Sequence, residues 1–235
     1  MLLRRAPVGL VVVLLFLGLQ LAGCDGGSSS ADESPTDLLA QAKSTLDKTS
    51  SAHFVLSSEG SSGDDTTLVG GEGDVARPSS FEGKLQVRVQ GASLELPVVS
   101  VDGTVYAKVA FAPNFTVIDP ADFSFGDPGL LLDPDTGVSS LLAAAKDAKL
   151  GDEKRVNGTV VREVTAELPG DRVQQVLTSE DPSRPVPTTL SIAVDSGELL
   201  RVEMTGPFFS TEDSTFTLEL SDFGADVHIT APATG

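Results

Sequence analysis

The chain has 235 residues, with 34 acidic against 16 basic side chains, a net charge of −18, one Cys, two His and no Trp. Such acidity excludes a sequence-independent grip on nucleic acid, whose phosphates need clustered Lys and Arg. A single cysteine excludes an internal disulfide and a thiolate metal cluster. With only His53 and His228 available, we expect no enzyme of the usual nucleophilic or zinc-dependent kinds, no cofactor and no metal.

Arg4 and Arg5 precede an apolar run from Pro7 to Leu19, and Leu21-Ala22-Gly23-Cys24 follows. The run is too short to span a bilayer comfortably and has the layout of a secretory signal. Cys24 directly behind Leu-Ala-Gly resembles the lipobox of bacterial lipoproteins, in which the thiol is acylated and the preceding peptide removed. An exported protein with an odd free thiol is unusual, and a thioether lipid disposes of it. The polar stretch from Asp25 to Pro35 lacks apolar periodicity and reads as a tether. The expected organisation is therefore a signal peptide over 1–23, a lipidated tether over 24–35 and one domain over 36–235. Anionic headgroups repel so acidic a body, which leaves the lipid on Cys24 to hold it at the extracytoplasmic face of the cell membrane, in the cell envelope.

A helix opens the domain: Ser34 and Asp37 resemble a capping box, Pro35 suits the first turn, and Leu38, Leu39, Ala42 and Leu46 share one face up to about Ser50. From Ala52 the period changes to two. Leu85, Val87 and Val89 alternate with Lys84, Gln86, Arg88 and Gln90, and Leu94, Leu96 and Val98 repeat the pattern, as do Val105, Ala107, Val109 and Phe111. Asp102-Gly103 and Asn157-Gly158 are hairpin turn signals. A second helix is expected from about Asp135 to Lys146 and a third from about Gly170 to Thr178. Strands then follow at Leu190-Val194, Leu200-Met204 and Phe216-Leu220. The order describes an α+β chain with a large antiparallel sheet, polar on one face and apolar on the other.

Roughly eight strands and about three helices pose a packing question, since so few helices must cover a wide apolar face. Either the helices suffice and the core is fully packed, or a cavity remains that an acyl chain fills.

Several segments together carry a resemblance. The lipobox, Ser50-Ser51-Ala52-His53-Phe54-Val55-Leu56, Val101-Asp102-Gly103-Thr104-Val105-Tyr106-Ala107, Asp133-Pro134-Asp135-Thr136-Gly137 with its Leu-rich helix, and Arg184-Pro185-Val186-Pro187 resemble, in their order and spacing, the LppX/LprAFG family of actinobacterial lipoproteins, most of all its LprG branch. The resemblance implies a curved antiparallel half-barrel with helices on its concave face enclosing a hydrophobic cavity. It also implies a carrier of acylated lipids or lipoglycans, such as triacylated phosphatidylinositol mannosides, lipoarabinomannan or triacylglycerol, working with a major-facilitator efflux transporter. Burying about forty methylenes is worth roughly 30 kcal/mol at about 0.8 kcal/mol each, so transfer must run from one apolar site to another. The competing reading is a cell-envelope scaffold or signalling lipoprotein with a packed core that binds protein partners.

Candidate ligand-binding residues follow from facing. Leu85, Val87, Val89, Leu94, Leu96 and Val98 match the cavity wall that the resemblance implies, and the alternative for them is ordinary sheet core. Phe111, Phe115, Phe123 and Phe125 sit in a stretch rich in Pro and Gly, where Phe115, Phe123 and Phe125 either gate the cavity mouth or pack beneath the loop. Phe208-Phe209 either touches a bilayer or tucks against the sheet edge. The Asp133-Gly137 segment starts like a calcium loop, but Ala144 stands where a bidentate Glu is required, so helix capping is the better account. His53 and His228 are expected to make structural hydrogen bonds.

Overall fold

The computed structural model describes residues 34–60, 66–109, 112–210 and 212–234. The signal segment, Cys24, most of the tether and Phe111 lie outside the described residues.

Helix α1, Pro35–Lys48, buries Leu38, Leu39, Ala42 and Leu46 along one side. Ser34 is the N-cap but its side chain makes no capping bond. Pro35 in the first turn presets the backbone and Asp37 faces the positive end of the helix dipole, so the start forms without the expected box. At the other end Arg77 serves as the cap, its Nε donating to the Thr49 carbonyl at 2.8 Å and its Nη2 to that of Leu46 at 3.3 Å.

Six strands follow: β1 Ser51–Glu59, β2 Thr67–Ala76, β3 Ser80–Val89, β4 Ala92–Val101, β5 Thr104–Ala107 and β6 Thr116–Val117. After two 3-10 turns, Pro120–Phe123 and Pro128–Leu130, come α2 Val138–Ala144, β7 Lys146–Val156, β8 Thr159–Leu168, α3 Gly170–Val173, β9 Val186–Ala193, β10 Leu199–Gly206 and β11 Ser214–Ser221. The sheet therefore has 11 strands. Among those that patterning does not reveal, β2 is interrupted by Gly70, Gly71 and Gly73, and β6 is two residues long. Asp102-Gly103 and Asn157-Gly158 do make two-residue turns with both residues at positive φ, and Gln90-Gly91 makes a third.

Both later helices are shorter than their periodicity predicts. The Asp133 carboxylate accepts from the backbone N–H of Asp135 at 3.0 Å and of Thr136 at 2.8 Å, which ties this segment into a tight turn and delays α2 to Val138. Gly137, not Asp133, is its N-cap. The chain beyond Val173 continues to Leu177 as turns rather than helix.

All neighbouring strands run antiparallel, in the order β6-β5-β4-β3-β2-β1-β11-β10-β9-β8-β7. Two meanders thus meet where the first strand pairs with the last, while β6 and β7 remain edges, so the half-barrel does not close. This topology dictates the cover. Eleven strands about 4.8 Å apart span on the order of 50 Å along the sheet, and the chain must pass from one edge to the other between Val117 and Lys146. That crossing lies over the apolar face and carries both 3-10 turns and α2. The core is the layer between: inward residues of the strands packed with α1, α2 and the α3 turn.

Candidate functional site

Beneath the crossing lies a cavity of about 110 Å³. Its floor follows one cross-strand row. Val202 on β10 pairs with Leu218 on β11, Leu218 with Leu56 on β1, Leu56 with Gly71 on β2, and Gly71 with Leu85 on β3. Gly71 brings no side chain to the middle of this row, and Leu85 leans across it. A Cβ there would stand 2.7 Å from Leu85 Cδ2, closer than packing permits. In the next row Gly73 and Gly83 pair, and the Phe81 ring fills the space above them, stacked on Phe54 with centroids 5.4 Å apart. Phe54, Leu68 and Met204 complete the floor.

The roof consists of Phe125 to Leu131, the start of α2 with Val138 and Leu141, and the turn carrying Val176 and Leu177. Asp127 is the one ionisable residue among the described residues lining the cavity, and it is already engaged. Its Oδ1 accepts from the fully buried Ser100 hydroxyl at 2.5 Å and from the Gly129 N–H at 2.8 Å, pinning the second 3-10 turn to β4. Further back, burial pushes the Asp133 carboxyl up. The Thr136 hydroxyl and the N–H groups of Thr136 and Asp135, with the charge of Arg77, more than offset this and hold it below the ordinary Asp value. Burial likewise opposes ionisation of Asp47, and Lys43, the neighbouring Ser139 hydroxyl and Arg77 outweigh it, so that carboxyl too is lowered. Arg77, which caps α1, thus also favours the charged form of both carboxylates. An interior of this kind can exclude water and hold methylenes.

Of the residues singled out from sequence, Leu85 and Phe125 line the cavity. Val87, Leu96 and Val98 are buried on the same face but farther along it, in solid core. Val89 is half-buried, and Leu94, opposite Val87 in the pairing, is 41% exposed because the sheet there extends past its cover. Phe115 is half-buried and bridges to Thr234 in the C-terminal segment. Phe123 is half-buried against the core, its centroid 6.2 Å from that of Phe125. Phe208 is buried edge-on to Phe216 at 5.2 Å, so the Phe208-Phe209 pair tucks against the sheet. His53 Nδ1 lies 2.8 Å from Asp74 Oδ1 on the opposite face. Missed from sequence were Phe54, Leu56, Val202, Met204 and Leu218, which reach the cavity only because β1 pairs with β11. Glycines at alternate positions of β2 were the one available sign of it.

The sequence profile of the LppX_LprAFG lipoproteins matches residues 34–229. The chain belongs to that family. Among its relatives in the family, the lipoarabinomannan carrier protein LprG of Mycolicibacterium hassiacum is 32% identical over 224 residues, covering 91% of this chain and 92% of that one. Lipoprotein LprA of Mycobacterium tuberculosis is 30% identical over 246 residues, with 96% of each chain covered. The fold agrees. The crystal structure of LprF from Mycobacterium bovis superposes with a TM-score of 0.70 at 18% identity, covering 85% of this chain and 97% of that one. For the M. tuberculosis lipoprotein LppX the TM-score is 0.62 at 18% identity, over 85% and 100% of the two chains.

Proposed function

We propose that this lipoprotein is a carrier that shelters acyl chains of a lipid or glycolipid between its sheet and the chain segment crossing it. The carrying observation is the apolar cavity over the Val202-Leu218-Leu56-Gly71-Leu85 row, with Asp127 already bonded to Ser100 and Gly129. The relative named as a lipoarabinomannan carrier supports the same reading. In this reading the cargoes are those that the family resemblance implies, triacylated phosphatidylinositol mannosides, lipoarabinomannan or triacylglycerol, moved toward the outer envelope in company with a major-facilitator efflux transporter. Acylation of Cys24 would hold the carrier at the extracytoplasmic membrane face, where tethering raises the effective concentration of the cavity near lipid donors.

Size constrains how it works. At about 110 Å³ the cavity is well below the roughly 300–1,000 Å³ usual for small-molecule sites, so the roof must lift to load. The roof is made of turns and a short helix rather than sheet, which supports assigning the movement to it.

Native mass spectrometry of the full chain purified from its envelope fraction tests the reading. A non-covalent adduct that disappears on organic extraction, while the covalent acyl mass on Cys24 stays, is the expected result. A chain carrying only its covalent lipid under every mild extraction condition refutes the carrier and leaves a packed scaffold.

A further inference from the structure

The cavity floor continues past the cavity. On β11 the inward row runs from Leu218 to Phe216, and Leu68 on β2 is followed outward by Thr67 and Thr66; the same sheet face thus bears a second cavity of about 170 Å³ at its rim. Phe208, Phe209 and Phe216 form its apolar wall, with centroids 5.2 and 5.4 Å from that of Phe216. Thr66, Thr178 and Glu180 also line it, the last two exposed to solvent.

Leu68 and Leu177 belong to both cavities, and the strap Ser124-Phe125 runs between them, Phe125 lining the first and Ser124 the second. The strap's own N–H groups bond back to the first 3-10 turn, Ser124 to the Ala121 carbonyl at 3.1 Å and Phe125 to that of Pro120 at 3.3 Å, and few bonds hold it to the rest of the fold. Phe125 makes an isolated bridge with Leu177, Ser124 Oγ donates to the Thr66 carbonyl at 2.6 Å, and Thr178 Oγ1 donates to the Ser124 carbonyl at 3.1 Å.

We propose that the rim cavity is the second compartment of a single acyl-chain site, and that Phe125 is the partition that withdraws when the chain is seated. The proposal rests on the carrier reading above. Neither compartment alone reaches the lower end, about 300 Å³, of ordinary ligand sites; joined, with the volume of the Phe125 ring vacated, they do. Acyl methylenes laid along β11 from Leu218 to Phe216 take the place of the ring between the two cavities, beside Leu68 and Leu177, which line both. Opening then exchanges one apolar contact for another instead of exposing it to water. The two hydroxyls that let go lie at the rim, where water replaces their partners.

The chain has no Trp, so a single introduced indole is a clean reporter. In the full-length lipoprotein, Phe54→Trp reads the first compartment and Phe209→Trp the second, and the probe is a monoacylglycerol brominated at mid-chain. Both reporters are expected to be quenched with one shared midpoint, and Phe125→Ala is expected to lower that midpoint about tenfold at both. Quenching of Phe54→Trp alone overturns the second compartment while the carrier reading stands. Quenching of Phe209→Trp alone, or midpoints more than tenfold apart, overturns the joined site. No quenching at either position refutes the carrier reading and this proposal with it. Should Phe125→Ala fail to fold, Ser124→Ala with Thr178→Val loosens the same strap, and a quenching rate no faster than the parent's overturns the partition.

Discussion

Adding one methylene at two places on the sheet separates void from packing. Val202, 2% exposed, lines the cavity; Val87, 1% exposed, is on the same face but in solid core. Isoleucine at either position keeps the branched Cβ, so strand preference is unchanged. At position 202 the new methylene enters empty space and should stabilise by about 0.8 kcal/mol. At position 87, a fully buried residue that lines neither cavity, it enters core at crystal-like density, where overpacking costs about 1–3 kcal/mol. The variants should thus differ by about 2–4 kcal/mol with opposite signs, read as urea midpoints at constant slope. Because the methylene at 202 occupies space a ligand methylene would use, Val202→Ile should also weaken acyl-probe binding about fourfold, and Val87→Ile should not. If Val202→Ile destabilises as much as Val87→Ile, position 202 faces packed core and the cavity is refuted.

Gly73→Ala places a Cβ 2.5 Å from Phe81 Cε2, 2.6 Å from the Glu82 carbonyl oxygen and 2.8 Å from Gly83 Cα; two of these are backbone atoms that cannot yield, so a loss of about 3 kcal/mol is expected in denaturant unfolding. Ser100→Ala takes from Asp127 its donor on β4, which should cost about 1–3 kcal/mol and speed hydrogen exchange of the amides from Asp127 to Leu131 ahead of those in β4. Asp47 and Asp133 have folded pKa values below their unfolded ones, so the stability they add is complete above the ordinary Asp value and is lost as pH falls through the folded values. The melting temperature should therefore hold from neutrality to about pH 5 and fall only below about pH 4; Asp133→Asn should make the acid limb shallower, and a fall beginning above pH 5 would contradict the assignment.

The elements themselves were written locally. Pro35 with Leu38, Leu39, Ala42 and Leu46 specifies α1, alternation specifies β3, β4 and β9 to β11, and Asp102-Gly103 and Asn157-Gly158 specify two hairpins, because each depends on neighbours in the chain. Face was legible as well: Leu85, Val87, Leu96 and Val98 all turn inward. Location along the face was not. Whether an inward residue meets solid core, as Val87 does, or empty space, as Leu85 does, depends on what lies above it, and the cover is the long crossing from β6 to β7. Helix lengths failed for a related reason, since the turn bonds at Asp133 and the start of β7 at Lys146 override helical periodicity. The pairing of β1 with β11 brings Leu56 and Leu218 into one row across more than half the chain. No local pattern encodes such a contact, because its stability comes from apolar surface that only the assembled sheet buries.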